Sequence, residues 1–190
     1  AASAETRGDG VQDMKNSSAV DYQTILTEAQ LAEWIDRLNK ASLVSIDTET
    51  TSLNPMQAQL VGISFCIESL HAAYLPLKHD YIDAPQQLQL DIALEKLKSW
   101  LESPYKFKLG QNLKYDKHVF ANHGICLNGI VHDTLLQSYV LESHKPHNMD
   151  SLAQRHLDIK TISYDEVTGK GANRITFDQV PIESATVYAA

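Results

Sequence analysis

Two acidic residues at the end of an apolar run have the spacing of a paired-carboxylate site. The stretch SIDTET covers residues 45–50, so Asp47 and Glu49 lie two positions apart. On a β-strand that spacing directs both side chains to the same face. Neighbouring carboxylates repel each other, and one of them stays protonated unless a cation joins the pair. Hard oxygen ligands of this kind suit Mg²⁺ or Mn²⁺.

The competing interpretation of this pair is a solvated strand end without a function. The residues at 43–46, Leu-Val-Ser-Ile, are typical of a buried strand. Asp47 and Glu49 therefore emerge at the edge of a core, and this context favours a functional site.

A second stretch, GQNLKYD at 110–116, supplies another acid. Asn112 is expected to be the N-cap of a helix, with Asp116 about one turn inside it. Lysines and tyrosines surround this acid in an otherwise acidic chain, namely Lys106, Lys108, Lys114, Lys117, Tyr105 and Tyr115. Such a strip fits a nucleic-acid strand that lies over a metal ligand. The alternative is an ordinary capped helix with Asp116 in solvent.

The composition excludes several classes of protein. The chain has 16 Lys and Arg against 24 Asp and Glu, and this net charge of −8 argues against a general polyanion binder. Its two cysteines, Cys66 and Cys126, cannot form a disulfide framework and are expected to be reduced. No apolar run approaches the ~18 residues of a membrane span, and the first residues lack the apolar core of a signal peptide. We therefore expect a soluble, cytoplasmic protein with no membrane contact.

The hydrophobic pattern predicts an α/β domain that follows a polar tail. Residues 1–21 have the composition of a linker, and the globular part spans 22–190. Three strands with short polar links suggest an antiparallel meander, and a later strand that leads into a helix favours the α/β class. The predicted strands are 43–47, 60–67, 71–77 and 106–109. Two helices are predicted to follow the Thr27–Gln30 capping box and Pro85. Further helices are predicted at 113–123, at 134–142 with Asp133 as N-cap, at 150–157 and at 181–190.

The two acidic stretches belong to a longer series of motifs. The series consists of DTETTSL at 47–53, GQNLKYD at 110–116, MDSLA at 149–153, TISY at 161–164, GKG at 169–171 and VYAA at 187–190. Together these motifs resemble the proofreading 3′–5′ exonuclease domains of bacterial family A DNA polymerases, over roughly residues 22–190. The resemblance implies a ribonuclease H-like α/β fold, a mixed β-sheet flanked by α-helices.

The resemblance also implies the catalytic residues. Asp47, Glu49 and Asp116 match three of the family's four metal-binding carboxylates, and Tyr188 matches its tyrosine. By this match Asp47 bridges two ions, Glu49 holds the water-bearing ion, Asp116 holds the second, and Tyr188 orients the attacking water. The family places its fourth carboxylate four residues after the tyrosine, and this chain stops after two. The domain is therefore expected to be truncated at its C-terminus and poorly active.

Contacts with the substrate are implied in the same way. The matching positions are Thr50, Leu53, Gln111, Asn112, Tyr115 and Tyr164. Leu53 would wedge between terminal bases, and the others would line the terminal nucleotides. Tyr164 has two interpretations, an aromatic ring that stacks on a base or a core tyrosine beneath a loop.

The implied activity is hydrolysis of the 3′-terminal phosphodiester of single-stranded or frayed DNA, with release of nucleoside 5′-monophosphates. The implied cofactors are two divalent cations, Mg²⁺ or Mn²⁺, with Zn²⁺ as a candidate at one site. The implied parent is a monomeric, nucleoid-associated bacterial chain that also carries a C-terminal polymerase domain and an N-terminal 5′ nuclease domain.

Two other functions compete with this one. A stand-alone exoribonuclease of the ribonuclease D kind would share the carboxylates, but the GQNLKYD run and the linker-like start count against it. A catalytically silent structural module of a polymerase is the second alternative. The three acids that this chain retains, Asp47, Glu49 and Asp116, count against a silent module.

Overall fold

The structure is a computed structural model that describes residues 20–190. The predicted tail, 1–21, lies outside the described residues apart from Val20 and Asp21, and Asp21 already belongs to the first strand. Among the described residues, none of the helices has both the length and the apolar composition that crossing a bilayer requires.

Strands and helices alternate along most of the described chain. The strands are β1 (Asp21–Thr24), β2 (Leu43–Thr50), β3 (Leu60–Glu68), β4 (His71–Pro76), β5 (Phe107–Gly110) and β6 (Ile130–Asp133). The helices are α1 (Glu28–Lys40), α2 (Leu90–Leu101), α3 (Leu113–Asn122), α4 (Thr134–Leu141), α5 (Met149–Leu157), α6 (Tyr164–Thr168) and α7 (Ile182–Ala189), with short 3₁₀ turns at Gly171–Asn173 and Phe177–Gln179.

The strands form one mixed sheet in the order β1-β4-β3-β2-β5-β6. Strand β3 runs antiparallel to both β2 and β4, so the predicted meander is confirmed. Strand β1 is parallel to β4, β5 is parallel to β2, and β6 is parallel to β5. The predicted α/β class is therefore confirmed as well. The edge strands β1 and β6 and the short helix α6 were not predicted from the sequence.

The main core lies between the sheet and helices α1, α2 and α3. Its buried side chains include Leu31, Trp34, Leu38, Val44, Ile46, Ile63, Phe65, Leu94, Leu97 and Phe120. In α1 the capping box of Thr27 and Gln30 forms as predicted, and the buried residues follow it at helical spacing. This core holds the middle of β2 rigidly, and β2 is the strand that carries the first acidic pair.

A smaller core joins the far part of the sheet to the C-terminal segment. It consists of Val61, Tyr74, Phe177, Val180 and Ala185, and Tyr188 packs against it. The last helix, α7, is packed against β1 and β4, and Thr186 Oγ1 of α7 lies 2.8 Å from Thr24 Oγ1 of β1.

Candidate active site

Strand β2 positions the first two acids. Asp47 pairs with Ser64 of β3, and Glu49 pairs with Gly62. The register of the two strands shifts between Glu49 and Thr50, which ends the regular ladder directly after the acidic pair. Such irregularities re-aim side chains next to functional sites. Glu49 is buried, and Asp47 is partly buried.

Helix α3 positions the third acid, and its start differs from the prediction. Asn112 makes no capping hydrogen bond with its side chain and has a left-handed backbone, with φ of 64°. Asp133, at the end of β6, caps α3 instead, because its carboxylate accepts hydrogen bonds from the backbone N–H groups of Asn112 at 3.1 Å and Leu113 at 2.9 Å. The same carboxylate caps α4, as predicted, by accepting from Leu135 N.

A pair of hydrogen bonds joins the third acid to β2. Asp116 Oδ1 accepts from the backbone N of Thr48 at 3.0 Å and from Thr48 Oγ1 at 2.6 Å. Asp116 is 2% exposed, so these bonds replace the water that the carboxylate loses on burial. The predicted alternative, a helix with Asp116 in solvent, is therefore wrong.

One cavity of about 490 Å³ collects every site residue that the sequence predicted. Its lining includes the four proposed catalytic residues, Asp47, Glu49, Asp116 and Tyr188, and the six proposed substrate contacts, Thr50, Leu53, Gln111, Asn112, Tyr115 and Tyr164. The lining also includes Arg174 and Thr176, which the sequence analysis did not select.

Burial raises the pKa values of all three carboxyl groups, and repulsion between neighbouring carboxylates adds to the effect. Burial, and then the charge of Asp116, raise the pKa of Asp47 to about 8. Burial raises the pKa of Glu49 well above its usual range, and the charges of Asp47 and Asp116 raise it further. For Asp116 burial also dominates, and its pKa rises to about 6 although the Thr48 hydrogen bonds oppose the change. The cavity therefore concentrates acids that protons or cations must neutralise.

The donor chemistry of this cluster fits a hard divalent cation. All three side chains offer carboxylate oxygens, which Mg²⁺ and Mn²⁺ prefer, and a cation would relieve the repulsion that raises their pKa values. Within residues 20–190, however, no three His, Cys, Asp or Glu side chains are already grouped as a ligand set. One oxygen of Asp116 is engaged by Thr48.

Hydrogen bonds hold most of the polar substrate-contact candidates in place. Thr50 Oγ1 and Tyr115 Oη lie 2.5 Å apart, and Tyr115 Oη also donates to Ser52 O. Gln111 donates from Nε2 to His147 O at 2.7 Å. Leu53 is different, because it is 94% exposed and packs against nothing that would hide it.

Tyr188 and Tyr164 belong to an aromatic cluster on the C-terminal side of the cavity. The Tyr188 ring centroid lies 5.7 Å from that of Phe177 and 6.5 Å from that of Tyr164. Tyr164 stacks on Phe177 with 6.2 Å between centroids, yet it is 39% exposed. The interpretation of Tyr164 as a core tyrosine is therefore wrong, and one part of its ring faces the cavity.

Helix α7, which carries Tyr188, is held at its start by the segment after β4. His79 Nδ1 lies 2.8 Å from Val180 O, and His79 Nε2 lies 2.8 Å from Tyr74 Oη. The backbone N of Ile182 donates to Tyr81 Oη at 3.1 Å. Burial lowers the pKa of His79, which favours the neutral ring in this position. A buried histidine that the sequence did not reveal therefore holds the start of the helix that carries Tyr188.

The predicted basic strip around Asp116 is wrong. Lys108 is fully buried, and its Nζ donates to Trp100 O at 2.9 Å and to Lys106 O at 2.8 Å. Lys106 donates to Asn39 O at 2.7 Å. Lys114 and Lys117 are exposed on α3, and none of these four lysines lines the cavity. Alternation along β5 sends Lys108 inward, and sequence proximity to Asp116 did not reveal that.

Comparison with known proteins agrees with this geometry. The family model for 3′–5′ exonucleases matches residues 22–190. The chain is 48% identical over 174 residues to DNA polymerase I of Pseudomonas aeruginosa, covering 90% of this chain and 19% of that protein.

The chain belongs to the family of DNA polymerase I 3′–5′ exonuclease domains.

Another relative in this exonuclease family is DNA polymerase I of Rhizobium leguminosarum, at 40% identity over 187 residues. That match covers 89% of this chain and 18% of that protein, so the chain spans about a fifth of the length of the relatives. Exonucleases of this family generally depend on divalent metals. The resemblance that the motifs indicated is therefore confirmed.

The fold of the exonuclease family recurs in exoribonucleases. The crystal structure of Escherichia coli RNase D superposes with a TM-score of 0.59 at 19% identity, covering 89% of this chain and 42% of that chain. At this identity the likeness concerns the fold alone. It confirms the predicted ribonuclease H-like architecture.

Proposed function

We propose that this domain hydrolyses the 3′-terminal phosphodiester of single-stranded or frayed DNA and releases nucleoside 5′-monophosphates. The observation that carries the proposal is the single cavity in which three acids, Tyr188 and the exposed Leu53 meet. This arrangement occurs in a chain of the 3′–5′ exonuclease family. A cavity of this size accommodates the end of a strand rather than an intact duplex.

Asp47, Glu49 and Asp116 would hold two divalent cations, Mg²⁺ or Mn²⁺, with Zn²⁺ as a candidate at one site. Bound there, such cations supply a nucleophilic water at neutral pH and offset the negative charge that develops on the phosphate. The protein itself contributes a carboxylate-lined site. Thr48 contributes as well, because its hydrogen bonds fix the orientation of the Asp116 carboxylate.

Tyr188 would orient the attacking water through its hydroxyl. Burial raises the pKa of Tyr188, and the charges of Glu49 and Asp47 raise it further. The phenol therefore stays protonated at neutral pH and acts as a hydrogen-bond donor, not as a base or nucleophile. Its contact with Phe177 keeps the ring in place beside the acids.

The substrate end would be held on the side of the cavity that carries Leu53. An apolar side chain that is 94% exposed is suited to insertion beside a terminal base, where it gains the contacts that it lacks in the free protein. Thr50, Gln111, Asn112 and Tyr115 would line the terminal nucleotides, and Tyr164 would stack on a base. Paired ends must fray before a strand reaches these residues.

In its parent, the domain would be part of a longer bacterial chain. We place a C-terminal polymerase domain and an N-terminal 5′ nuclease domain beside it, in a monomeric, cytoplasmic and nucleoid-associated protein, because the relatives of high identity are DNA polymerase I. A fourth carboxylate would follow Tyr188 by one helical turn.

Digestion of 5′-labelled single-stranded DNA in Mn²⁺ tests the function. We expect a ladder that shortens from the 3′ end, slow digestion of a blunt duplex and no products when the 3′ end is blocked. Asp116→Asn should abolish the ladder, because the amide cannot replace the carboxylate as a charged ligand. Asp91→Asn, a change at an exposed acid of α2, is the matched control and should digest normally.

The same assay separates the alternative functions. A strong preference for an RNA strand of the same sequence would favour the ribonuclease D-like function. Absence of digestion in both strands, with or without the residues that follow in the parent chain, would support a silent structural module.

A further inference from the structure

The lining of the cavity includes one positively charged side chain that belongs to none of the motifs. Among the described residues that line it, Arg174 is the only Lys or Arg, whereas Asp47, Glu49 and Asp116 contribute acids. A nucleic-acid strand carries one negative charge on every phosphate. The charge of Arg174 is therefore the one feature of the lining that attracts the backbone of a strand directly.

Arg174 is held in place and still accessible. Its guanidinium pairs with Asp165, and its Cζ lies 5.8 Å from the centroid of the Tyr164 ring. The backbone around it is pinned, since Arg174 N donates to Gly171 O at 3.2 Å and Ile175 N donates to Thr168 O at 2.8 Å. The side chain is nevertheless 48% exposed.

We propose that Arg174 is a substrate-binding residue that pairs with one backbone phosphate of the bound strand. The proposal rests on the proposed exonuclease function. The planar guanidinium presents several N–H donors in a fork that matches phosphate oxygens, so one face can serve Asp165 while other donors reach the strand. Because Arg174 lies over Tyr164, the two side chains would hold the phosphate and the base of neighbouring positions in one strand.

A purely structural role is the main competitor, in which Arg174 serves only to brace α6 through Asp165. The two roles differ in what the removal of Asp165 does. If Arg174 acts as a brace, Asp165→Ala should weaken strand binding as much as Arg174→Ala does. If Arg174 binds phosphate, removal of its carboxylate competitor should leave the affinity unchanged or increase it.

The experiment measures binding of a 5′-fluorescent oligothymidylate by anisotropy, with Ca²⁺ as the divalent cation. Strands that carry a neutral methylphosphonate at one linkage at a time locate the phosphate that matters. The wild-type chain should lose affinity about tenfold at one linkage. Arg174→Ala should show that loss already with the natural strand, and no further loss at the same linkage. Arg174→Lys should recover part of the affinity.

Two further measurements keep the result specific. The slope of log affinity against log salt concentration should fall by about 0.7 in Arg174→Ala, the value for one phosphate contact with a single strand. Lys170→Ala is the matched control, because Lys170 lies 3.8 Å from the same Asp165 but is 78% exposed and outside the cavity lining. It should bind like the wild type.

An Arg174→Ala chain that binds with wild-type affinity and salt slope overturns this inference and leaves the exonuclease function standing. Equal losses in Arg174→Ala and Asp165→Ala also overturn it. If the wild-type chain neither binds nor digests a single strand, the proposed function fails, and this inference fails with it.

Discussion

Asp47, Glu49 and Asp116 are acidic groups that the fold buries wholly or in part, and among the described residues no Lys, Arg or His forms an ion pair with them. Burial raises the pKa of each of them, and their mutual repulsion adds to the effect for Asp47 and Glu49. An unpaired carboxylate costs free energy when it is ionised in a buried position. The cluster therefore lowers the free energy of unfolding wherever its acids are ionised without a bound cation. This cost has a definite dependence on pH and on cations.

In EDTA, the free energy of unfolding should fall as the pH rises from about 4 to about 8. The folded pKa values of Asp47, about 8, and Asp116, about 6, exceed the ordinary value of 3.8, so the folded state binds more protons than the unfolded state in that window. Each group contributes a slope of at most about 1.4 kcal/mol per pH unit. Urea unfolding at a series of pH values measures it.

The Asp47→Asn variant and Mn²⁺ provide the controls for that measurement. The variant cannot ionise at this position, so its stability should fall less steeply and should exceed that of the wild type at pH 8. Addition of Mn²⁺ should stabilise the wild type most at the alkaline end, where the carboxylates are free of protons. A stability that rises between pH 4 and pH 8 in EDTA would contradict the account of the cluster.

At the scale of elements, the position of α7 decides where Tyr188 lies. The helix is short, and its start is held by the contacts of His79 and Tyr81 rather than by a side-chain cap. His79 also bonds to Tyr74, whose ring fills the space beside Gly62; a Cβ there would lie 2.1 Å from Tyr74 Oη. The buried imidazole therefore connects the sheet to the segment that begins α7, in addition to the direct contact of Thr24 with Thr186.

The His79→Ala variant should destabilise the protein by about 1–3 kcal/mol, because Tyr74 Oη and Val180 O lose their buried partner. Hydrogen exchange of the α7 amides should accelerate more than that of the α2 amides. In the exonuclease assay kcat should fall while KM changes little, since Leu53 and Tyr115 are untouched.

His118→Ala serves as the control, because His118 is an exposed histidine on α3. It should unfold, exchange and digest like the wild type. If His79→Ala loses stability uniformly, with α7 no more affected than α2, then His79 does not position this helix in particular.

At the scale of the whole molecule, α7 borders two cavities, and Tyr188 lines the one that holds the acids. Residues Ala189 and Ala190 line a second cavity of about 650 Å³ beside the sheet. A helix that continued past Ala190 would place its residue four positions after Tyr188 on the same face as that tyrosine. The resemblance to polymerase exonucleases puts an aspartate at this position.

We expect a chain that carries an aspartate four residues after Tyr188 to digest single-stranded DNA at least ten times faster than the 190-residue chain, because a carboxylate on that face of α7 would join the cation ligands. The matched control is the same extension with alanine in place of that aspartate, which should remain slow. Single-turnover digestion measures both. Equal rates for the two extensions would show that the fourth carboxylate is dispensable.

The features that the sequence determined by itself depend on residues close together in the chain. Each of these patterns lies within a single helix or strand. They are the Thr27–Gln30 capping box, the alternation in β3 and the two-residue spacing of Asp47 and Glu49. Short-range spacing sets the direction of a side chain relative to its own element. For that reason the meander and the first helix could be predicted correctly.

The tertiary structure alone decided the features that depend on partners distant in sequence. Asp133 caps α3 in place of Asn112, Lys108 is buried beneath Trp100, and Arg174 reaches the cavity although it lies 58 positions beyond Asp116 in the printed sequence. The edge strands β1 and β6 likewise form only because β4 and β5 are there to pair with them. Such contacts are selected by packing and by the need to satisfy buried polar groups, and no local spacing encodes them.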